Sequence, residues 1–187
     1  YMRIRGFILL VFSVLFINNS TFGQHIAVKS NMLYDASATF NLGLEFKLNT
    51  RLTMDVPVNY NPWTFSDNKK MKHILVQPEI RFWNCEAFYG HFWGIHAHYA
   101  YYNIGGIGPF TTLKNNRYEG WLAGGGVTYG YHWLLSNRWS LEASVGAGYA
   151  FVNYEKYECK KCGEKLSDGT KHYFGPTKAG ISLIYFF

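Results

Sequence analysis

The residues of this chain whose types and spacing could do chemistry fall into three groups: a cysteine pair, a histidine pair and a scattered set of charges. Cys159 and Cys162 stand in CKKCGEK, the knuckle shape of zinc ribbons. A structural zinc site takes four ligands, usually from two such pairs. No second C-x-x-C exists, and only His172 stands near enough in sequence to lend a third ligand. The pair reads as a loop-tightening disulfide in an oxidising compartment, with a metal knuckle completed by another molecule as the alternative. A thioredoxin-like role would need a βαβ setting that is missing here. His96 and His98 are two apart, so they share one face of a strand, with His91 and His132 on neighbouring segments. A metal would need such clustering; as hydrogen-bonding groups lining an interior they need none. Ser140, Ser144 and Ser182 lie on the same side, but none sits in G-x-S-x-G. The glycines at 124–126 precede no helix, so no nucleotide-binding loop and no nucleic-acid partner is indicated.

What must position these groups is a series of alternating strands. Side chains repeat every two residues along a strand. The last stretch, Tyr173 to Phe187, puts Ala179, Ile181, Leu183, Tyr185 and Phe187 on one face and Lys178, Gly180 and Ser182 on the other. The same pattern runs through His25–Asp35, Phe40–Leu48, Arg51–Asn61, His73–Trp83, Gly90–Asn103, Tyr118–Leu134 and Arg138–Tyr154. Pro57 is awkward in a paired strand and predicts a local defect. The stretches 61–72, 104–117 and 155–172 read as loops, and the other connections as short turns. Eight such strands predict an all-β fold: an eight-stranded antiparallel up-and-down transmembrane β-barrel, with long connections at one end and short turns with both termini at the other.

Parity then places Lys29, Asp35, Glu45, Lys47, Asp55, Glu79, Arg81, His96, His98, Glu142 and Lys178 on one face, with the aliphatic and aromatic residues opposite. Burying those charges is costly unless they pair. An interior salt-bridge network centred on Glu45, Glu79, Arg81, Glu142 and Lys178 is expected, plugging a ring too narrow for an open pore. A soluble carrier would turn the pattern inside out, burying the apolar face. Tyr and Trp near the strand ends (Tyr34, Tyr60, Trp93, Tyr101, Trp121, Trp133, Trp139, Tyr149) favour the membrane arrangement, as interface girdles.

Composition agrees. Aromatic residues make up 19% of the 187, and charged residues only 16%, against ~25% in ordinary soluble domains. Residues 1–23 read as a secretory leader: Arg3 and Arg5, then the apolar run FILLVFSVLFI, then small and polar residues, with cleavage before Gln24. Residues 24–187 form the β-barrel domain. Lys69, Lys70 and Lys72 could meet lipid phosphates, or simply be solvated.

Several segments carry a resemblance: HIAVKSNMLYDASATFNLGLEF, NYNPWTFSDNKKMKHILVQPEIRFW, HAHYAYYNIGG, RYEGWLAGGGVTYGYHW and YFGPTKAGISLIYF. The chain resembles a family of Bacteroidetes outer-membrane proteins catalogued as domain of unknown function 3575, over nearly all of the mature part. The C-terminal strand is similar to those read by the barrel-assembly machinery of bacterial outer membranes, its signal carried by Gly180, Leu183, Tyr185 and Phe187. The family resemblance implies the cell outer membrane as location, outer-membrane lipids and the assembly machinery as partners, and a surface-fibre or envelope protein as a further one, since some members sit with fimbrial genes. It implies no catalytic residues. The reading is a non-enzymatic barrel without a cofactor, with two alternatives: an outer-membrane enzyme acting on lipid or envelope polymer, and a metal-binding surface module at Cys159 and Cys162.

Overall fold

The computed structural model of the chain describes residues 26–64, 70–106, 116–158 and 165–187. The strands are β1 (Ile26–Asn31), β2 (Phe40–Asn49), β3 (Leu52–Asn61), β4 (Lys70–Val76), β5 (Glu79–Trp83), β6 (Gly90–Gly105), β7 (Asn116–Leu134), β8 (Trp139–Glu158) and β9 (Lys165–Phe186), with one helix, α1 (Met32–Ala36). All pairings are antiparallel; with β4 and β5 counted as one strand they join sequence neighbours, and β1 also pairs β9. The result is a ring of eight hydrogen-bonded strands, in which β4 and β5 together form the fourth. Closure pairs each strand on both sides, although β9 meets β1 only over Ser182–Phe186.

The fourth strand is broken at Gln77-Pro78. β5 pairs β3 as far as Asp55, and β4 takes over at Val58. Pro57 lies opposite the break and itself stays paired, with Gly43 of β2. A residue's N–H and C=O point to the same neighbour in an antiparallel ladder. The Pro57 carbonyl accepts from the Gln77 N–H at 3.1 Å, so its missing donor also faces the break, where no acceptor requires it. The defect expected at Pro57 therefore falls on the partner strand.

Strand boundaries differ from the sequence reading in two ways. The first strand ends at Asn31, not Asp35. The Asn31 side chain caps α1 by accepting from the Leu33 N–H, and this turns Asp35 out of the ring. Asp35 accepts instead from Ser30 Oγ at 2.8 Å and Asn41 Nδ2 at 2.7 Å, at the surface. Second, β4, β6, β7, β8 and β9 continue into stretches read as loops. Tyr118 meets Tyr154 edge-on, and Arg117 covers the Tyr157 ring at 4.6 Å. In this extension both faces meet solvent, so no alternation marked it. Glu155 accepts from Lys165 Nζ at 2.8 Å and from the Tyr157 hydroxyl at 2.5 Å. The Lys165 hydrogen bond holds the Glu155 carboxyl below the usual carboxylate range.

Inside, at the short-turn end, sits an aromatic plug of Ala27, Trp83, Ala87, Phe88, Phe92, Ile184 and Phe186. Phe88 comes from the β5–β6 connection and meets Phe186 edge-on at 5.0 Å. Phe92 lies across β7 from Gly130; a methyl at Gly130 would collide with the Phe92 ring. Gly130→Ala should therefore cost about 1–3 kcal/mol by overpacking. The expected readout is a lower urea midpoint at unchanged slope; an unchanged midpoint would mean that Phe92 yields freely.

Candidate functional site

The strands bring seven ionised side chains together above the plug. Arg81, 1% exposed, is the hub. Its Nε donates to Glu79 at 2.7 Å, its Nη1 to Glu142 at 2.8 Å and Glu45 at 3.0 Å, and its Nη2 lies 2.8 Å from Asp55. Lys29 Nζ reaches Glu45 at 2.6 Å, Glu142 at 3.1 Å and Asp55 at 3.4 Å. Lys178 Nζ donates to Glu79 at 2.7 Å. Register explains the convergence: Asp55 is cross-strand from both Glu45 and Glu79, and Glu79 from His96. Gly94, cross-strand from Arg81, leaves the space that Glu79 fills; a methyl there would stand 2.7 Å from its carboxyl carbon.

Three cations face four carboxylates, so the cluster carries one negative charge in excess. The fork of Arg81 lets it meet four carboxylates from three nitrogens, where Lys29 reaches three from a single point charge. Threonines donate to two of the carboxylates. Thr53 Oγ1 donates to Glu45 at 2.5 Å and accepts from Trp83 Nε1 at 2.9 Å, tying the network to the plug. Thr128 Oγ1 donates to Glu79 at 2.9 Å. Arg81 also rests on the Phe92 ring, 4.5 Å from its centroid.

The two histidines behave differently. His96 Nδ1 is 2.8 Å from Thr128 Oγ1, and its Nε2 is 3.0 Å from Thr177 Oγ1. Since the Thr128 proton goes to Glu79, Nδ1 is the donor to Thr128, which assigns the tautomer. The relay Thr177–His96–Thr128–Glu79 satisfies the ring completely. His98 lies tilted against His96, ring centroids 5.7 Å apart, yet makes no bond to the network; its buried Nδ1 has no hydrogen-bond partner among the described residues. His132 faces the plug with Nδ1 3.9 Å from Glu142, beyond hydrogen-bond reach.

Strict parity excludes Thr177 from the interior beside Lys178. The register shifts there: Gly146 pairs Lys178, and Ala147 pairs Pro176. This bulge turns two consecutive side chains inward. Pro176 was the available signal. Lys47 lies apart from the network, at the short-turn end, 3.3 Å from Glu86. Gly180 is inside the ring; Leu183, Tyr185 and Phe187 are on its outer face. His91 and His172 also point outward, bonded to the hydroxyls of Tyr129 and Tyr149 at 2.6 Å each. Cys159, Cys162, Lys69 and the stretch 1–23 read as a leader lie outside the described residues. Cys85 is a free, exposed thiol. Among the described residues, no group of His, Cys, Asp or Glu is arranged to hold a metal ion.

A polar cavity of about 40 Å³ lies over the network, lined by Lys29, Asp55, Arg81, Glu142, Lys178 and their neighbours. The buried Asp55 Oδ1, without a protein partner, borders it. Its size and lining are those that ordered water requires.

Fold and interior together define a class: a closed antiparallel β-ring with its ionised groups inside and its large apolar groups outside. Within it, the chain belongs to the family described as protein of unknown function (DUF3575), whose pattern matches residues 7–187. No curated protein and no solved structure matches it.

Proposed function

We propose that this protein is a non-enzymatic outer-membrane β-barrel, plugged by its own ion network, with a structural or accessory role at the cell surface. The observation that carries the reading is the inversion of solvent preference. Ile95, Val127 and Val145 stand exposed on the outer face while Glu45, Glu79, Arg81 and Glu142 are buried. No helix among the described residues is long and apolar enough to cross a membrane, which leaves the strands as the crossing elements.

Aromatic contacts gather in two bands on the outer face. Tyr131–Trp133 and Trp139–Tyr185 lie at the short-turn end; Tyr99–Trp121, Trp121–Phe151 and Tyr149–Phe174 lie towards the other. Trp121 and Trp133 are twelve steps apart on β7. That is ~40 Å of strand at ~3.3 Å per step, or ~30 Å of height at a ~40° tilt, close to a bilayer's apolar thickness. Outer-membrane lipids would contact this band, the barrel-assembly machinery would read Gly180, Leu183, Tyr185 and Phe187, and a surface-fibre or envelope protein would meet the long-connection end.

Cell fractionation with heat-modifiable gel mobility tests the reading: the chain should co-purify with outer membranes and need detergent. A leaderless chain that is stable and monodisperse in plain buffer would overturn it. The plug is tested separately in planar bilayers. The expected record shows no large, stable conductance, because Arg81 and Lys29 bridge carboxylates across the lumen; a steady open channel would contradict it.

A further inference from the structure

We infer that the upper lumen is a binding cup for an alkyl carboxylate, a medium-chain fatty acid or a molecule ending in one. Above His98 the inward-facing side chains change character. Leu75 on β4, Ala100 and Ile104 on β6, Leu122 on β7 and Val152 on β8 turn into the ring and line part of an open cavity of about 460 Å³. Small-molecule sites run from ~300 to ~1,000 Å³ and are apolar with a few placed polar groups. An aliphatic surface facing the inside of an otherwise charged lumen has no packing role that the described residues supply, and apolar patches of this kind mark binding.

The polar groups at the cup identify the head of the ligand. His98, 6% exposed, lines it and has a buried Nδ1 with no partner among the described residues. Buried nitrogens are normally bonded, so an unpartnered one on a residue that lines a cavity asks for a ligand atom. A carboxyl group answers in either protonation state: the carboxylate accepts from Nδ1–H, and the acid donates to a bare nitrogen. No Asp or Glu lines the cup, and the nearest carboxylate below, Glu79, is already bound by Arg81, Lys178 and Thr128. Lys171, cross-strand from Val152, adds positive charge at the rim. The cup lies inside the ring, so it stands whichever solvent surrounds the outer face.

The test uses the refolded mature chain in amphipol, free of monomeric detergent, titrated with decanoate carrying carbon-13 at its carboxyl. One saturable site is expected, with the bound carboxyl resonance displaced from the free one. Leu122→Trp, or Ala100→Phe should the first misfold, fills the cup and should weaken binding about tenfold or more. His98→Phe should keep the alkyl chain but abolish the displacement. Each variant is first shown to retain heat-modifiable mobility. Non-saturable uptake, or undiminished affinity in a folded cup-filling variant, overturns the proposal. Decanol binding as tightly as decanoate overturns the carboxyl assignment.

Discussion

Arg81→Met is expected to lower the unfolding free energy by about 3–5 kcal/mol, the cost of leaving buried charges without a partner. Methionine roughly preserves side-chain volume and contact with Phe92, so the loss isolates the guanidinium. Without it, Glu45, Glu79, Asp55 and Glu142 face only Lys29 and Lys178. Lys178 touches Glu79 but lies 3.9 Å from Asp55, and Lys29 already serves Glu45, Asp55 and Glu142. The excess of one negative charge becomes two in a buried space. Urea unfolding of the vesicle-inserted protein measures the effect as a fall in midpoint at constant slope. Adding Glu142→Gln to Arg81→Met should recover part of the loss, since it removes one of the orphaned charges; a double-mutant cycle gives the coupling. A midpoint within error of wild type for Arg81→Met would show that the four carboxylates do not depend on this arginine.

The faces of the strands were legible because a two-residue repeat is a property of single residues. Lys29, Glu45, Asp55, Glu79, Arg81 and Glu142 could be assigned to one side with no knowledge of their neighbours. Register within the ring was less so. The Thr177 bulge, the break at Gln77-Pro78 and the Asn31 cap each change which way a side chain points, and each depends on a hydrogen bond to another strand or turn. The bulge brings Thr177 to His96, and the cap removes Asp35 from the interior. Height along the axis was not legible either. Ile184 and Phe186 share a face with Lys178 but lie among the aromatic plug, and Leu75 and Leu122 share a face with Glu79 and Thr128 but lie in the cup. Parity says inside or outside; only the pairing of β4 through β9 says at which level.

The second large effect concerns the outer face. Val127 is 58% exposed, cross-strand from Ile95 and Ala147, and midway between the two aromatic bands. If that face meets hydrocarbon, Val127→Arg should cost about 2–4 kcal/mol, because an arginine at the midplane must be dehydrated or drag water and headgroups towards it. If the face meets water, the same change should fall within ~0.5 kcal/mol, as surface substitutions do. Leu166→Arg supplies the internal control. Leu166 is also exposed, but it lies on the β8–β9 extension beyond the upper band, where arginine should cost only ~0–1 kcal/mol. Refolding both variants into vesicles and comparing their urea midpoints gives the difference directly. A steep dependence on height along the axis is a property of a bilayer and not of bulk solvent, so equal, small effects at Val127 and Leu166 would remove lipid from the outer face. The charged interior would then belong to a protein that hides its apolar surface against something other than a membrane.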